Sequence, residues 1–408
     1  MSSPSLRVAV VGAGSAGLLL AALLHRQGHR VRVFEKADRL RAEGCGILLV
    51  RSGVEAIAAS GLEGLLERFL AQGLAVSRFV VRNLRGDLID SSPAEQVAGE
   101  LPSLLLHRRV ILEALASALP PEIIQFNAEV LHWRQSDPDL DPAPVEAVFR
   151  QGDLWRGDLL VGADGLFSRV ASLVAPERQL NYLGDRVWRG VVADASFCRE
   201  GEFFVYARGR GVYANVFDLG ATASEEALTH WGVFQEEPLP GEREEQRRLL
   251  EEPVPEEALA KVPADLAALI RSTPADAVVA NWSFDINPLP RLHQGRVVLI
   301  GDAAHAMSSS QARGMTAGLE DAVALARLLD PRALVASSAA APPPVDRALS
   351  AWERERLPVV HAYQERSRAV SARTGRRRPL RVRGAGAAPG TPPGASPGAL
   401  PPTARPPA

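Results

Sequence analysis

The hydrophobic pattern changes period twice within the first thirty-four residues. Leu6 to Val11 is a short β-rich apolar run. Ser15 to Gln27 is a nearly all-apolar helical segment closed by Gly28, a residue suited to a left-handed helix stop. Val31 to Phe34 reads as the next strand, so the three form a βαβ unit with a right-handed crossover. The same grammar returns where the strand Arg296 to Ile300 runs into Gly301, Asp302 and a helix through about Leu329. Between these ends, Tyr182 to Phe234 carries aromatic and β-branched runs broken by glycines, the texture of an antiparallel sheet. Glu242 to Ile270 is charged and helical in pattern, interrupted at Pro253, Pro255 and Pro263. Ala336 to Pro344 reads as a flexible connection, and Val345 to Val370 as an exposed helix kinked or restarted near Pro358. From Arg373 to Ala408 there is no acidic residue and little bulky apolar content, which predicts a disordered tail.

Composition narrows the setting. With 408 residues and 46% hydrophobic content the chain can bury a large core. Its net charge of -2 provides no global field to draw in nucleic acid or an acidic membrane surface. The two cysteines, Cys45 and Cys198, belong to no CxxC pair, so neither a disulfide framework nor a metal cluster is expected and a reducing cytoplasm is the simplest location. The uncharged stretch Val8 to Leu24 is broken by Gly12, Gly14 and Gly17 and falls short of the roughly 20 residues a membrane span requires. No internal repeat is evident.

Three constellations carry candidate chemistry. The first is Gly12-Ala13-Gly14-Ser15-Ala16-Gly17, between the first strand and helix, with Glu35 and Lys36 at the end of the second strand. Glycines belong there because the chain turns sharply, pyrophosphate must approach backbone N–H groups, and the helix must pack closely on the sheet. Glu35 suits the hydroxyls of an adenosine ribose and would repel a 2′-phosphate, which favours FAD or NAD over NADP as the resident nucleotide. The second and third constellations are Leu159-Leu160-Val161-Gly162-Ala163-Asp164-Gly165 and Val297-Val298-Leu299-Ile300-Gly301-Asp302, the latter continuing to Arg313-Gly314-Met315-Thr316. Each puts an aspartate at the carboxyl edge of a strand, where either a ligand contact or a helix cap is expected. Gly209-Arg210-Gly211 imitates a second nucleotide motif, but the following residues Asn215 to Leu219 read as strand.

In this order and spacing, the three motifs resemble the group A flavoprotein monooxygenases, the family of para-hydroxybenzoate hydroxylase and salicylate hydroxylase, from Leu6 to about Val370. His107-Arg108-Arg109 is similar to the family segment whose arginine reaches the flavin cofactor, which implies an FAD contact for Arg108. The resemblance also implies that Asp302 binds the ribityl chain. It further implies that the backbone of Gly314, Met315 and Thr316 faces the isoalloxazine edge, and that Asp164 takes part in cofactor contact and the response to reduced pyridine nucleotide. A helix starting near Gly314 would aim its N–H groups at the ring region that becomes negative on reduction. The sequence departs from the family pattern at Ala171, where an arginine is usual, at Ser309, usually proline, and at Ala312, usually glycine. Arg169 is the candidate substitute for that arginine.

The implied fold is α/β: a glutathione-reductase-type Rossmann FAD-binding domain with an inserted antiparallel-sheet substrate domain. The expected division assigns 1–72, 100–175 and 280–334 to the first domain and 73–99 and 176–279 to the second, followed by a helix at 345–370 and the tail at 373–408. The implied activity is that of a monooxygenase: NADH or NADPH transiently reduces FAD, and dioxygen then hydroxylates or epoxidises an aromatic or other electron-rich small molecule through a flavin C4a-hydroperoxide. Two alternatives stand beside it, an FAD-dependent reductase or cyclase acting on isoprenoids and a non-catalytic FAD-binding module. Trp188, Arg189 and Tyr206 are the candidate substrate contacts, with Arg189 suited to an acidic substrate. No catalytic side chain and no metal ligand is assigned, and His305 reads as a packing or capping residue.

Overall fold

The computed structural model describes residues 5–41, 45–94, 99–136, 141, 143–150, 152–194, 196–198, 200–221, 227–334, 344–373 and 380–381. Six strands form the first sheet in the order His293–Gln294, Val297–Leu299, Leu159–Gly162, Arg7–Val11, Arg30–Phe34 and Ile124–Gln125. All neighbours are parallel except the first pair. The central strand Arg7–Val11 is buried on both faces, as its unbroken apolar run requires. The helix Ser15–Arg26 covers one face, its residues Leu18 to Leu24 nearly all withdrawn from solvent. Chain segments more than a hundred residues apart thereby meet at one sheet edge: Val11 pairs with Gly162, and Gly162 with Leu299.

The second large sheet runs Val278–Ile286, Leu180–Ala193, Ala227–Glu236, Val212–Ala221, Glu202–Gly209, Arg78–Arg82 and Leu88–Pro93. It is antiparallel except where Glu202–Gly209 meets Arg78–Arg82. One face packs on the helices Glu256–Leu259 and Ala264–Ser272 around Trp188, Tyr206, Val216 and Trp231. Arg210 and Gly211 form the tight turn between two of these strands, so the false glycine motif is a hairpin.

The structure differs from these expectations at several points. The expected boundary at 279/280 falls inside Val278–Ile286, which pairs with Leu180–Gly190 along the antiparallel sheet, so the strand boundary lies at Ile286. The helix expected after Gly301 is two helices, Asp302–His305 and Gly314–Leu328, separated by a loop that frees the second N-terminus. The C-terminal helix runs without interruption from Pro344 to Arg373 through Pro358, and it is not an exposed helix: Leu349, Trp352 and Val360 are fully buried. Of the tail expected to be disordered, Leu380–Arg381 pairs with Asn181–Tyr182, and the remainder beyond Arg373 lies outside the described residues.

Candidate cofactor and substrate site

Two cavities meet at the carboxyl edge of the parallel sheet, sharing Gly14, Arg108, Ala163 and Gly165 as a common wall. The first extends past Gly12 to Glu35, Lys36 and Arg169. The second, about 460 Å³, passes Ser15, Ala16, Asp302, Gly314 and Met315 and ends against the antiparallel sheet. That volume is ordinary for a small-molecule site.

Backbone geometry dictates the glycine turn. A Cβ at Gly12, whose φ is +107°, would lie 2.3 Å from the Ala163 carbonyl oxygen, and a Cβ at Gly17 would lie 2.2 Å from the Gly12 oxygen. Gly17 lines neither cavity, so it acts by letting the helix approach the strand. The helix Ser15–Arg26 has neither a side-chain cap nor an acidic residue in its first turn, and the same is true of Gly314–Leu328. Each therefore presents its unpaired first-turn N–H groups, the positive end of its dipole, toward the cavities. The Glu35 carboxylate accepts the backbone N–H groups of Ala13 and Ala37, both at 2.9 Å, which fixes it at the mouth of the first cavity.

The two strand-end aspartates do different work. Asp164 accepts the N–H groups of Arg169 at 2.7 Å and Val170 at 3.3 Å and the Ser168 hydroxyl, so its carboxylate caps the following turn while bordering the first cavity. Asp302 makes no such cap and faces the second cavity. Both carboxyls are enclosed by protein although open to cavity space, and this desolvation raises their pKa values; His305, Arg108 and Arg178 oppose the rise at Asp302. The turn carrying Asp302 is held from below by Asp321, fully buried, which accepts from Gly301 N–H at 3.0 Å and Arg356 Nε at 2.8 Å and lies 2.6 Å from His305 Nε2. These partners outweigh burial and keep the Asp321 carboxyl down at about 2. His305 is thus a buried anchor, consistent with its packing role.

Arg178 was not singled out by sequence. Its guanidinium donates to the Leu166 and Asp302 carbonyl oxygens, joining the two aspartate loops, and burial lowers its pKa to about 10 despite the nearby charges of Asp164 and Asp302. The side chain of Arg169, the substitute expected for the family arginine at Ala171, pairs instead with Glu129 at 3.1 Å. On the loop that departs at Ser309 and Ala312, Ser309–Gln311 form one 3-10 turn and Ala312 adopts left-handed φ of 52°. Ser308 fastens this loop to the C-terminal helix through Ser367 at 2.6 Å and Ser371 at 2.9 Å.

Among the expected contacts, Gly12, Gly14, Ser15, Ala16, Glu35, Lys36, Arg108, Asp164, Asp302, Gly314, Met315 and Arg189 line the two cavities. The Thr316 side chain is fully buried beside Gly53, so a contact from Thr316 is left to its backbone in the first turn of the helix. Trp188 and Tyr206 do not line them, because alternate strand residues point to opposite faces, and theirs is the helix-covered face. The Trp188 indole N–H donates to the Glu252 carbonyl at 3.0 Å, away from the cavity. Their place is taken by Phe203, Asn215, Phe217, His230 and Phe234, whose period-two spacing was readable but whose facing was not. His230 is held neutral, its pKa driven to about 3 by burial and by Arg189 and His107, while its Nδ1 accepts from Gly46 N–H at 3.0 Å.

A family profile described as FAD binding domain matches residues 5–367. The chain is 30% identical over 389 residues to 3-amino-4-hydroxybenzoate 2-monooxygenase of Streptomyces cremeus, covering 91% of this chain and 88% of that protein. It is 31% identical to a salicylate hydroxylase of Pseudomonas putida, covering 80% of this chain and 77% of the relative. In fold it resembles Klebsiella pneumoniae HpxO complexed with FAD and uric acid, with a TM-score of 0.73 at 21% identity over 91% of this chain and 90% of the other. Among the described residues no helix is long and apolar enough to cross a membrane. The chain belongs to the FAD binding domain family and is an FAD-dependent oxidoreductase of the group A aromatic monooxygenase kind.

Proposed function

We propose that the protein holds FAD extended through both cavities and, with NADH or NADPH and dioxygen, hydroxylates or epoxidises an aromatic or other electron-rich small molecule. The observation that carries this reading is that two uncapped helix N-termini and the Asp302 turn converge on one space whose far wall is aromatic. Glu35 would take the adenosine ribose, and the N–H groups at Gly14 to Ala16 the pyrophosphate. Arg108 and Asp302 would take the ribityl chain, and the Gly314–Met315 backbone the pyrimidine edge of the ring. Bound FAD supplies electron transfer from nicotinamide and activation of dioxygen.

The chain's own work is positioning and exclusion. Arg178 and Asp321 fix the loops that carry Asp164 and Asp302. Phe203, Phe217 and Phe234 form an apolar wall that keeps water from the reacting face. His230, neutral throughout the physiological range, holds the strand Gly46–Leu49 rather than moving a proton. In this reading the first sheet and its helices form the FAD-binding part and the antiparallel sheet the substrate part. Two free thiols, Cys45 and Cys198, suit a reducing cytoplasm. The test is turnover under oxygen-18 gas with NADH or NADPH and a panel of phenolic and isoprenoid compounds: one labelled oxygen atom in product is expected. Product formed without label would overturn oxygen transfer in favour of a reductase or cyclase.

A further inference from the structure

Two connections between the parallel and antiparallel sheets run side by side. Residues 175–179 lead from the helix Ala171–Val174 into the strand Leu180–Ala193, and Asn287 follows the end of Val278–Ile286. Asn287 fastens the two: its Oδ1 accepts the Gln179 N–H at 2.6 Å, and its own N–H donates to the Gln179 oxygen at 3.3 Å. Arg178 stands at this crossing. Its guanidinium reaches back to the Leu166 and Asp302 carbonyl oxygens, one on each aspartate turn.

Those two hydrogen bonds do not account for a cation. An uncharged donor could bridge two carbonyl oxygens, whereas enclosing a guanidinium carries a desolvation cost, and its Nε is shut off from solvent with no acceptor. Among the described residues Arg178 makes no direct ion pair, and the charges that face it are those of Asp164 and Asp302. Asp302 in addition faces Arg108 and His305. Burial favours the neutral forms of both carboxyls, and FAD brings the negative charge of its diphosphate to the same space. A cation between the two turns offsets all of this charge. The arginine usual in the family at 171 is absent, that position holding the fully buried Ala171, and Arg169 turns to Glu129.

We propose that Arg178 is a positioning residue for FAD, supplying from the crossing between the sheets the positive charge shared by the Asp164 and Asp302 turns. This deepens the FAD-dependent reading and rests on it for the occupant of the cavities. The guanidinium acts by its charge as well as by its hydrogen bonds: it keeps both carboxylates ionised to accept hydrogen bonds and holds the two turns at one spacing.

Release of FAD from the holoenzyme, followed by the fluorescence that free flavin regains, tests this without turnover. Four forms suffice: the unsubstituted chain, Arg178→Lys with the charge kept, Arg178→Gln with donors but no charge, and Arg178→Met with neither. Each is reloaded with excess FAD before measurement. At pH 7 the glutamine and methionine variants are expected to release FAD at least about tenfold faster than the unsubstituted chain, and the lysine variant no more than about threefold faster. Burial lowers a lysine from its usual value of about 10.4 toward the assay range, so at pH 9 the lysine variant should release FAD as fast as the methionine variant. The unsubstituted chain, its guanidinium still charged, should change by less than about twofold. Because the lysine variant is its own control across pH, a misfolded chain does not mimic this pattern. A glutamine variant that retains FAD like the unsubstituted chain, a lysine variant as leaky as the methionine variant at pH 7, or one indifferent to pH would each overturn the assignment. An unsubstituted protein that holds no FAD defeats the cofactor reading itself, whereas FAD held equally by all four forms defeats only the role of Arg178.

Discussion

The parallel-sheet edge and the antiparallel sheet each border the same cavity, yet they are built on different physical terms. At the parallel edge the chain excludes side chains: Gly12 and Gly17 have carbonyl oxygens where a Cβ would stand, and ligand-facing groups are chiefly backbone N–H at helix ends. At the antiparallel sheet the backbone is regular and side chains on one face decide what fits. The first arrangement tolerates almost no substitution and fits one cofactor. The second can change its ligand by altering one residue at a time while the opposite face keeps its packed core.

The largest test of this contrast is Gly17→Ala. A methyl group meeting the Gly12 oxygen must push the helix from the strand, and FAD affinity is expected to fall at least about 100-fold, roughly 2.7 kcal/mol. Flavin absorbance per polypeptide after purification measures it, and full retention would contradict the packing argument. Next come Asp302→Ala and Arg178→Met, each expected to weaken FAD about tenfold, about 1.4 kcal/mol. A change confined to substrate affinity would move those residues to the other region.

Acid should act through buried histidines on both sides of the contrast, since burial lowers the pKa of His29, His107, His230 and His293. An unfolded histidine takes up a proton near pH 6.5, whereas folded His230 does so only near 3. The unfolded state therefore binds more protons across this window, and stability falls as pH drops through it. At pH 5.5 the His230 contribution is about 1.4 kcal/mol. Chemical denaturation at pH 7.5 and 5.5 should show a smaller loss for His230→Gln than for the unsubstituted chain; an equal loss would relocate the effect. The smallest effect belongs to Ala312→Gly. Left-handed backbone at alanine costs about 1–2 kcal/mol, partly offset by the greater freedom of unfolded glycine, so stability should rise by less than about 1 kcal/mol. A lowered thermal midpoint would show that the methyl group makes a contact worth more than the strain.

The same contrast explains what was legible in the sequence. Gly12, Gly14, Glu35 and Asp302 could be read because phosphate-binding backbone imposes a local spacing, and the structure brings all four to the cavities. Arg189 lines the cavity, but Trp188 and Tyr206 were taken with it, since apolar side chains stand on both faces of runs such as Phe203 to Tyr206 and leave no polar alternation to tell the covered face from the open one. Thr316 was expected to act through its backbone at the helix N-terminus, and helical periodicity turns its side chain inward while its neighbours Gly314 and Met315 line the cavity. Arg178 left no local signal, because its partners at Leu166 and Asp302 are backbone carbonyls supplied by tertiary folding. The C-terminal helix was read as exposed because its mean character is polar, while the buried stripe of Leu349, Trp352, Arg356 and Val360 includes a charge that Asp321 and Glu320 make admissible there.

The central claim is that segments distant in the chain close around one extended dinucleotide. Denaturing the purified protein and identifying the released chromophore tests it most directly. One FAD per chain is the predicted result; a colourless polypeptide that takes up no added FAD would contradict the account.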